Sequence, residues 1–190
     1  MKVFALSLLV MLMTFAFADD PEHGAFLPAQ AAADVLKDYA GADGAFLGAG
    51  LIKKTYVADD LSTLLQYPTD ELVIVKLNGA QIKQALERSL SLYPEANSSF
   101  LQLSGFDVVF AKVSNNGQHI VQVKCNGSDL DESKNYQIAM PSSLGRGGLG
   151  YFKIWDKAKI TKTFSGVTVE TVLKGKRYVE TSPRWVASGS

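Results

Sequence analysis

Leu72-Val73-Ile74-Val75-Lys76-Leu77-Asn78-Gly79-Ala80-Gln81-Ile82-Lys83-Gln84-Ala85-Leu86-Glu87 changes its period halfway along. Leu72 to Leu77 is β-rich and nearly continuous in apolarity, the pattern of a buried strand. From Gly79 the period is helical. Ile82, Leu86 and Leu90 lie four apart, with Lys83, Gln84, Glu87 and Arg88 on the other faces. Asn78 stands at the junction and is placed to cap the helix predicted over Gly79 to Leu92, which Pro94 ends.

Upstream, Pro28 to Tyr39 reads as a helix, with Pro28 in its first turn and Ala32, Val35, Leu36 and Tyr39 at helical spacing. Ala45-Phe46-Leu47 is a short strand leading into a loop, Gly48 to Lys54. Ala58 to Leu65 reads as a short helix with Asp59 and Asp60 in its first turn, followed by a turn at Gln66 to Asp70. Downstream, Phe106–Phe110, His119–Cys125 and Tyr136–Met140 are predicted strands. Asn116-Gly117 and Asn126-Gly127 serve as tight-turn signals between them. A glycine cluster, Gly145 to Tyr151, follows, and strands or a short helix carry on to Trp185. Helices interleaved with antiparallel hairpins indicate an α+β fold, with mixed α/β layers and a mixed sheet flanked by helices.

The start of the chain carries Lys2, an apolar run from Val3 to Phe17 and a small-residue exit at Ala16-Phe17-Ala18. This pattern predicts a signal peptide over 1–18, cleaved after Ala18, and a secreted or periplasmic protein. A polar leader, 19–28, precedes one domain over 29–186, with a tail at 187–190. After cleavage no membrane association is expected. The 19 Lys and Arg balance 19 Asp and Glu, so there is no bulk field to hold nucleic acid. The lone cysteine, Cys125, ends a strand pattern and reads as a half-buried thiol rather than a nucleophile.

Metal-dependent hydrolysis needs about five or more His, Asp and Asn ligands around paired ions. The chain has two histidines, His23 and His119, and neither belongs to a ligand motif. No metal site, cofactor or catalytic residue is expected. Asp129, Asp131 and Glu132 read as a solvated turn face. The glycine cluster lacks the Lys-Ser/Thr of a phosphate-binding loop and reads as a tight loop needing positive φ. Asn97-Ser98-Ser99 and Asn126-Gly127-Ser128 are glycosylation sequons, meaningful in a eukaryote.

Five segments, in order, resemble the C-terminal domain of the 5′-nucleotidase family. Gly48-Ala49-Gly50-Leu51-Ile52-Lys53 looks like that family's Asn-Ala-Gly-Gly-Ile-Arg. Leu77 to Glu87 is similar to its Leu-Thr-Gly-x-x-Leu-x-x-Ala-Leu-Glu. Phe100 to Gly105 matches Phe-Leu-Gln-Val-Ser-Gly. Val123 to Asp131 resembles Val-x-Val-Asn-Gly-x-x-Leu-Asp, and Gly147 to Tyr151 resembles Gly-Gly-Asp-Gly-Tyr. The resemblance spans roughly residues 30 to 180. It implies the fold of that domain, which binds base and ribose while a separate metallophosphatase domain carries the metals and the hydrolysis.

The family's ligand positions mostly differ here. The first of its two purine-stacking Phe rings follows Pro in a Pro-Phe-Gly turn. Here the turn is Tyr67-Pro68-Thr69, so the ring is replaced by Pro68 or displaced to Tyr67. The second Phe corresponds to Ser143. The ribose-binding Asp is Leu149, the motif Asn is Gly48, and the Arg that meets substrate anions is Lys53. Loss of two stacking faces removes roughly 2–6 kcal/mol of binding, at about 1–3 per stacked base. Lys53, Tyr67, Ser143, Arg146 and Tyr151 are the candidate ligand-binding residues. The resemblance thus implies an exported, non-catalytic domain with an altered pocket for a small nucleoside- or nucleotide-like ligand. The alternatives are an accessory subunit completing a separately encoded metallophosphatase, or a structural domain with a vestigial site.

Overall fold

The computed structural model describes residues 20–189; the predicted signal peptide and its cleavage point lie outside them. The element order begins with α1 (Leu27–Ala40), β1 (Gly44–Gly48), β2 (Glu71–Asn78), α2 (Gly79–Ser89), β3 (Leu101–Ser104), β4 (Phe106–Asn115) and β5 (Gln118–Cys125). It continues with β6 (Ser128–Asp129), β7 (Asn135–Pro141), α3 (Ser142–Gly145), β8 (Ile160–Thr168), α4 (Val169–Leu173) and β9 (Trp185–Ala187). Two sheets form: a mixed five-stranded one, β3-β1-β7-β2-β8, and a four-stranded one, β6-β5-β4-β9.

Strand alternation sends neighbouring residues of the large sheet into two different cores. Ala45, Leu47, Leu72 and Ala139 join α1, α4 and the Leu61–Leu64 turn on one face. Phe46, Val73, Val75, Leu77, Ile138 and Met140 face the other way, towards α2 and the four-stranded sheet. This explains the unbroken apolarity of β2, which is covered on both sides. The chain passes between the sheets at Gly105, whose φ of 76° lets β3 bend into β4.

Asn78 caps α2 as predicted. Its Oδ1 accepts from the Gln81 amide at 2.8 Å, and the Gln81 side chain accepts in return from the Asn78 amide. The helix stops at Ser89, short of Leu92. There the side-chain amide of Asn97 donates to the carbonyls of Arg88 and Ser89 at 3.0 and 2.9 Å, taking up helix-end acceptors. Asn97 is therefore buried and fully engaged, whereas Asn126, the other sequon asparagine, is exposed in its turn.

Two expectations need correction. Tyr136–Met140 does not continue the β4–β5 meander; β7 crosses to the large sheet, between β1 and β2. Ala58 to Leu65 forms only a 3₁₀ turn, Leu61–Leu64, because Asp60 takes the capping position by accepting from the Ser62 amide. The polar leader is fastened to the domain. Gln102 donates to the carbonyls of Pro21 and Gly24 and accepts from the amide of Phe26, which is buried.

One polar knot joins chain segments far apart in sequence. The Arg184 guanidinium donates to Asp34 and to the Leu103 carbonyl, both at 2.7 Å, and to the Gln30 carbonyl at 3.2 Å. Asp34 also accepts from the Ser104 hydroxyl at 2.5 Å. Arg184→Ala is expected to cost roughly 1.5–3 kcal/mol, the size of a charge-assisted hydrogen-bond group. Arg184→Lys should restore only part, since the planar fork is lost. Urea denaturation measures both; a loss under about 0.5 kcal/mol for Arg184→Ala would make the knot incidental. Cys125 lies buried at the end of β5, and burial, with the Asp43 carboxylate nearby, pushes its thiol up from the ordinary range. Its reaction with a disulfide reagent at neutral pH should be slow in the folded protein and fast after denaturation.

Candidate functional site

The turn before β2 and the turn after β7 are tied by a carboxylate. Asp70 accepts from the hydroxyls of both Ser142 and Ser143, and from the Ser143 amide at 3.1 and 3.2 Å. This fastens the short helix α3 to the end of the turn that carries Tyr67. Leu51, Tyr67, Thr69, Asp70 and Ser143 together line a pocket of about 320 Å³. Two of the five sequence-predicted residues, Tyr67 and Ser143, thus meet in one place. Tyr67 is 57% exposed, so its ring is a free face above the pocket rather than part of the core. Leu51, Thr69 and Asp70 are not marked out by the sequence. Asp70 ends the turn that carries the aromatic, immediately before an apolar strand, and that position is the available signal.

The other three candidates lie elsewhere. Lys53 is exposed, with its amide bonded to the Leu64 carbonyl at 2.7 Å, and is not among the lining residues. Arg146 is exposed at the end of α3, its amide bonded to the Ser142 carbonyl at 3.0 Å, and is likewise off the pocket wall.

Tyr151 is a correction. Its side chain is fully buried, stacked on Trp155 with centroids 4.5 Å apart and planes 12° apart, and its hydroxyl donates to the Ser99 carbonyl at 2.6 Å. Burial pushes this phenol well above its ordinary range, against the smaller opposing pulls of Ser89 and Arg88. It is a neutral core residue, not a ligand contact. A tyrosine after a glycine cluster looks exposed in sequence, yet the turn directs it inward.

The glycine loop carries the most informative geometry. Gly147, Leu149 and Gly150 all have positive φ, at 91°, 54° and 79°. A leucine in this region costs about 1–2 kcal/mol, so other bonds must hold it. The Leu149 carbonyl accepts from the Arg88 guanidinium and from the Ser99 hydroxyl, both at 2.8 Å. Its side chain lies across the Gly48–Gly50 loop. A Cβ added to Gly48 would overlap Leu149 Cδ1, and one added to Gly50 would stand 3.0 Å from Cδ2. Gly48 and Leu149, about a hundred positions apart, are therefore one packing unit.

Neither histidine is gathered into a cluster. His23 pairs with Asp20 at 3.2 Å, and the His119 ring contacts the Ala111 carbonyl at 2.8 Å. Among the described residues no three His, Cys, Asp or Glu side chains are grouped to hold a metal ion, and no helix is long and apolar enough to cross a membrane.

Comparison with known proteins agrees with this architecture. The family model described as "5'-nucleotidase, C-terminal domain" matches residues 22–156. A 5′-nucleotidase-related protein of Glossina morsitans morsitans is 34% identical over 128 residues, covering 60% of this chain and 23% of the relative. The 5′-nucleotidase of Bos taurus is 34% identical over 92 residues, covering 44% of this chain and 16% of the relative. The solved structure of a 5′-nucleotidase precursor from Thermus thermophilus has a TM-score of 0.69 at 19% identity, covering 89% of this chain and 36% of that one. The chain thus spans less than a quarter of the length of these curated relatives, and its fold is that of their C-terminal part. It belongs to the 5′-nucleotidase C-terminal domain family.

Proposed function

We propose that this is an exported, non-catalytic member of the family, in which the nucleoside cleft has been closed at its ribose end and remade as a small pocket under Tyr67. The observation that carries the reading is the Gly48–Leu149 contact. The two positions that depart together from the family's polar pattern are the two that touch. An apolar knob fills a glycine hole where, by resemblance, a ribose-binding carboxylate and an asparagine amide belong. Leucine offers no acceptor for a ribose hydroxyl, so hydroxyl recognition is lost there. At the stacking end Ser143 has no ring, and its hydroxyl is donated to Asp70. Tyr67, on the pocket wall, offers an exposed aromatic face. The non-catalytic reading rests on the match of residues 22–156 to the C-terminal domain of the family, and export on the apolar run behind Lys2.

The packing claim is tested by a double-mutant cycle. Gly48 has φ of −76° and ψ of 139°, so alanine fits the backbone and only the overlap with Leu149 opposes it. Gly48→Ala should destabilise by about 1–3 kcal/mol in the native chain and by much less in a Leu149→Ala background. Equal costs in both backgrounds would separate the two positions. The functional claim is tested by calorimetric titration with adenosine and AMP. No saturable heat is expected below about 1 mM ligand. A micromolar site abolished by Tyr67→Ala would overturn closure of the cleft, and metal-dependent phosphate release from AMP would overturn non-catalysis.

A further inference from the structure

We propose that a second cleft, sharing no residue with the Tyr67 pocket, binds a small phosphorylated polyol. It is about 480 Å³ in volume and lies between α2, the tip of the β4–β5 hairpin and the glycine loop. Glu87, Arg88, Ser91, Ser114, His119 and Lys153 are among its walls. The size suits a small organic ligand.

Charge decides the ligand class. Arg88 is part-buried. One of its terminal nitrogens donates to Ser99 and Leu149 at 3.1 and 2.8 Å, while its Nε is buried without a hydrogen-bond partner. No carboxylate among the described residues pairs with it or with Lys153. The guanidinium, which also lies 5.3 Å from the centre of the Tyr151 ring, lines the cleft with Lys153 and has no carboxylate paired to it, so an anion seated between the two supplies the missing partner. Glu87 sets a limit on that anion. Its two oxygens accept from the His119 and Ile120 amides, each at 2.9 Å, so the carboxylate is fixed against the hairpin and stays at the cleft wall. A bare anion would be repelled there, whereas a hydroxyl would donate to it. The Ser91 hydroxyl, which donates to the Arg88 carbonyl at 2.8 Å, keeps its own acceptor capacity for a second ligand hydroxyl. Two cations beside one carboxylate favour a doubly charged head with a hydroxylated tail, which is a phosphate ester of a small polyol.

The test is an amide NMR titration of the full chain with glycerol 3-phosphate, inorganic phosphate and glycerol. Glycerol 3-phosphate should give saturable shifts at Gly117, His119, Gly150 and Lys153 in the millimolar range, phosphate should bind more weakly, and glycerol alone should give none. Arg88 holds the glycine loop, so the variant used is Lys153→Gln, at an exposed residue. It should raise Kd about two- to five-fold, the size of one exposed ion pair. Tyr67→Ala should leave Kd unchanged, which keeps this cleft separable from the Tyr67 pocket. Shifts that rise linearly, that scatter over the surface lysines, that are as strong with glycerol, or that ignore Lys153→Gln would overturn the proposal.

Discussion

Because successive side chains on a strand point to opposite faces, β1, β2 and β7 must find cover on both sides at once. Ala45, Leu47, Leu72 and Ala139 need α1 and α4; Phe46, Val73, Val75 and Ile138 need α2 and the second sheet. Most of the architecture follows from this demand. α1 and α4 are held on one side, with Arg184 tying α1 to β3 and to the start of β9. On the other side the four-stranded sheet and α2 close the second core, and the glycine loop lies over its end. Both clefts open at the rims of this sandwich, one walled by turns and α3, the other by α2, the end of the β4–β5 hairpin and the glycine loop.

The glycine loop shows how a backbone shape is held independently of the side chain at its apex. Asp and Asn tolerate left-handed backbone better than leucine does. Leu149 nonetheless keeps that geometry, because its carbonyl is gripped by Arg88 and Ser99 and its side chain gains the Gly48–Gly50 surface. Hydrogen bonds from neighbouring residues hold the backbone shape, while the side chain at its apex is apolar where the family pattern has a polar one.

Legibility in the sequence tracks the range of the interactions. The β2–α2 junction is readable because periodicity and the Asn78 cap are local, as is the β4–β5 hairpin with its Asn-Gly turn. β3 is visible only as a family motif; Leu101–Ser104 is too short and too uniformly buried to alternate. The placement of β7 depends on partners far along the chain, which no local turn signal encodes. Tyr67 and Ser143 emerge through resemblance. Asp70 escapes a sequence reading because its partners, Ser142 and Ser143, lie more than seventy positions away. Tyr151 misleads because the direction of a side chain after three positive-φ residues cannot be read from composition.

Both tryptophans stand in the same core. Trp155 stacks on Tyr151 and donates to the Leu144 carbonyl, while Trp185 packs on Phe100 and donates to the Leu101 carbonyl. The α1 face of the sheet has no indole; its aromatic residues are Phe26, Tyr39, Tyr56, Phe164 and Tyr178. Intrinsic tryptophan emission therefore observes one half of the molecule. If α1 and α4 were to loosen from the sheet first, Trp155 would remain in place and report little, whereas tyrosine emission or amide exchange along α1 would register the event.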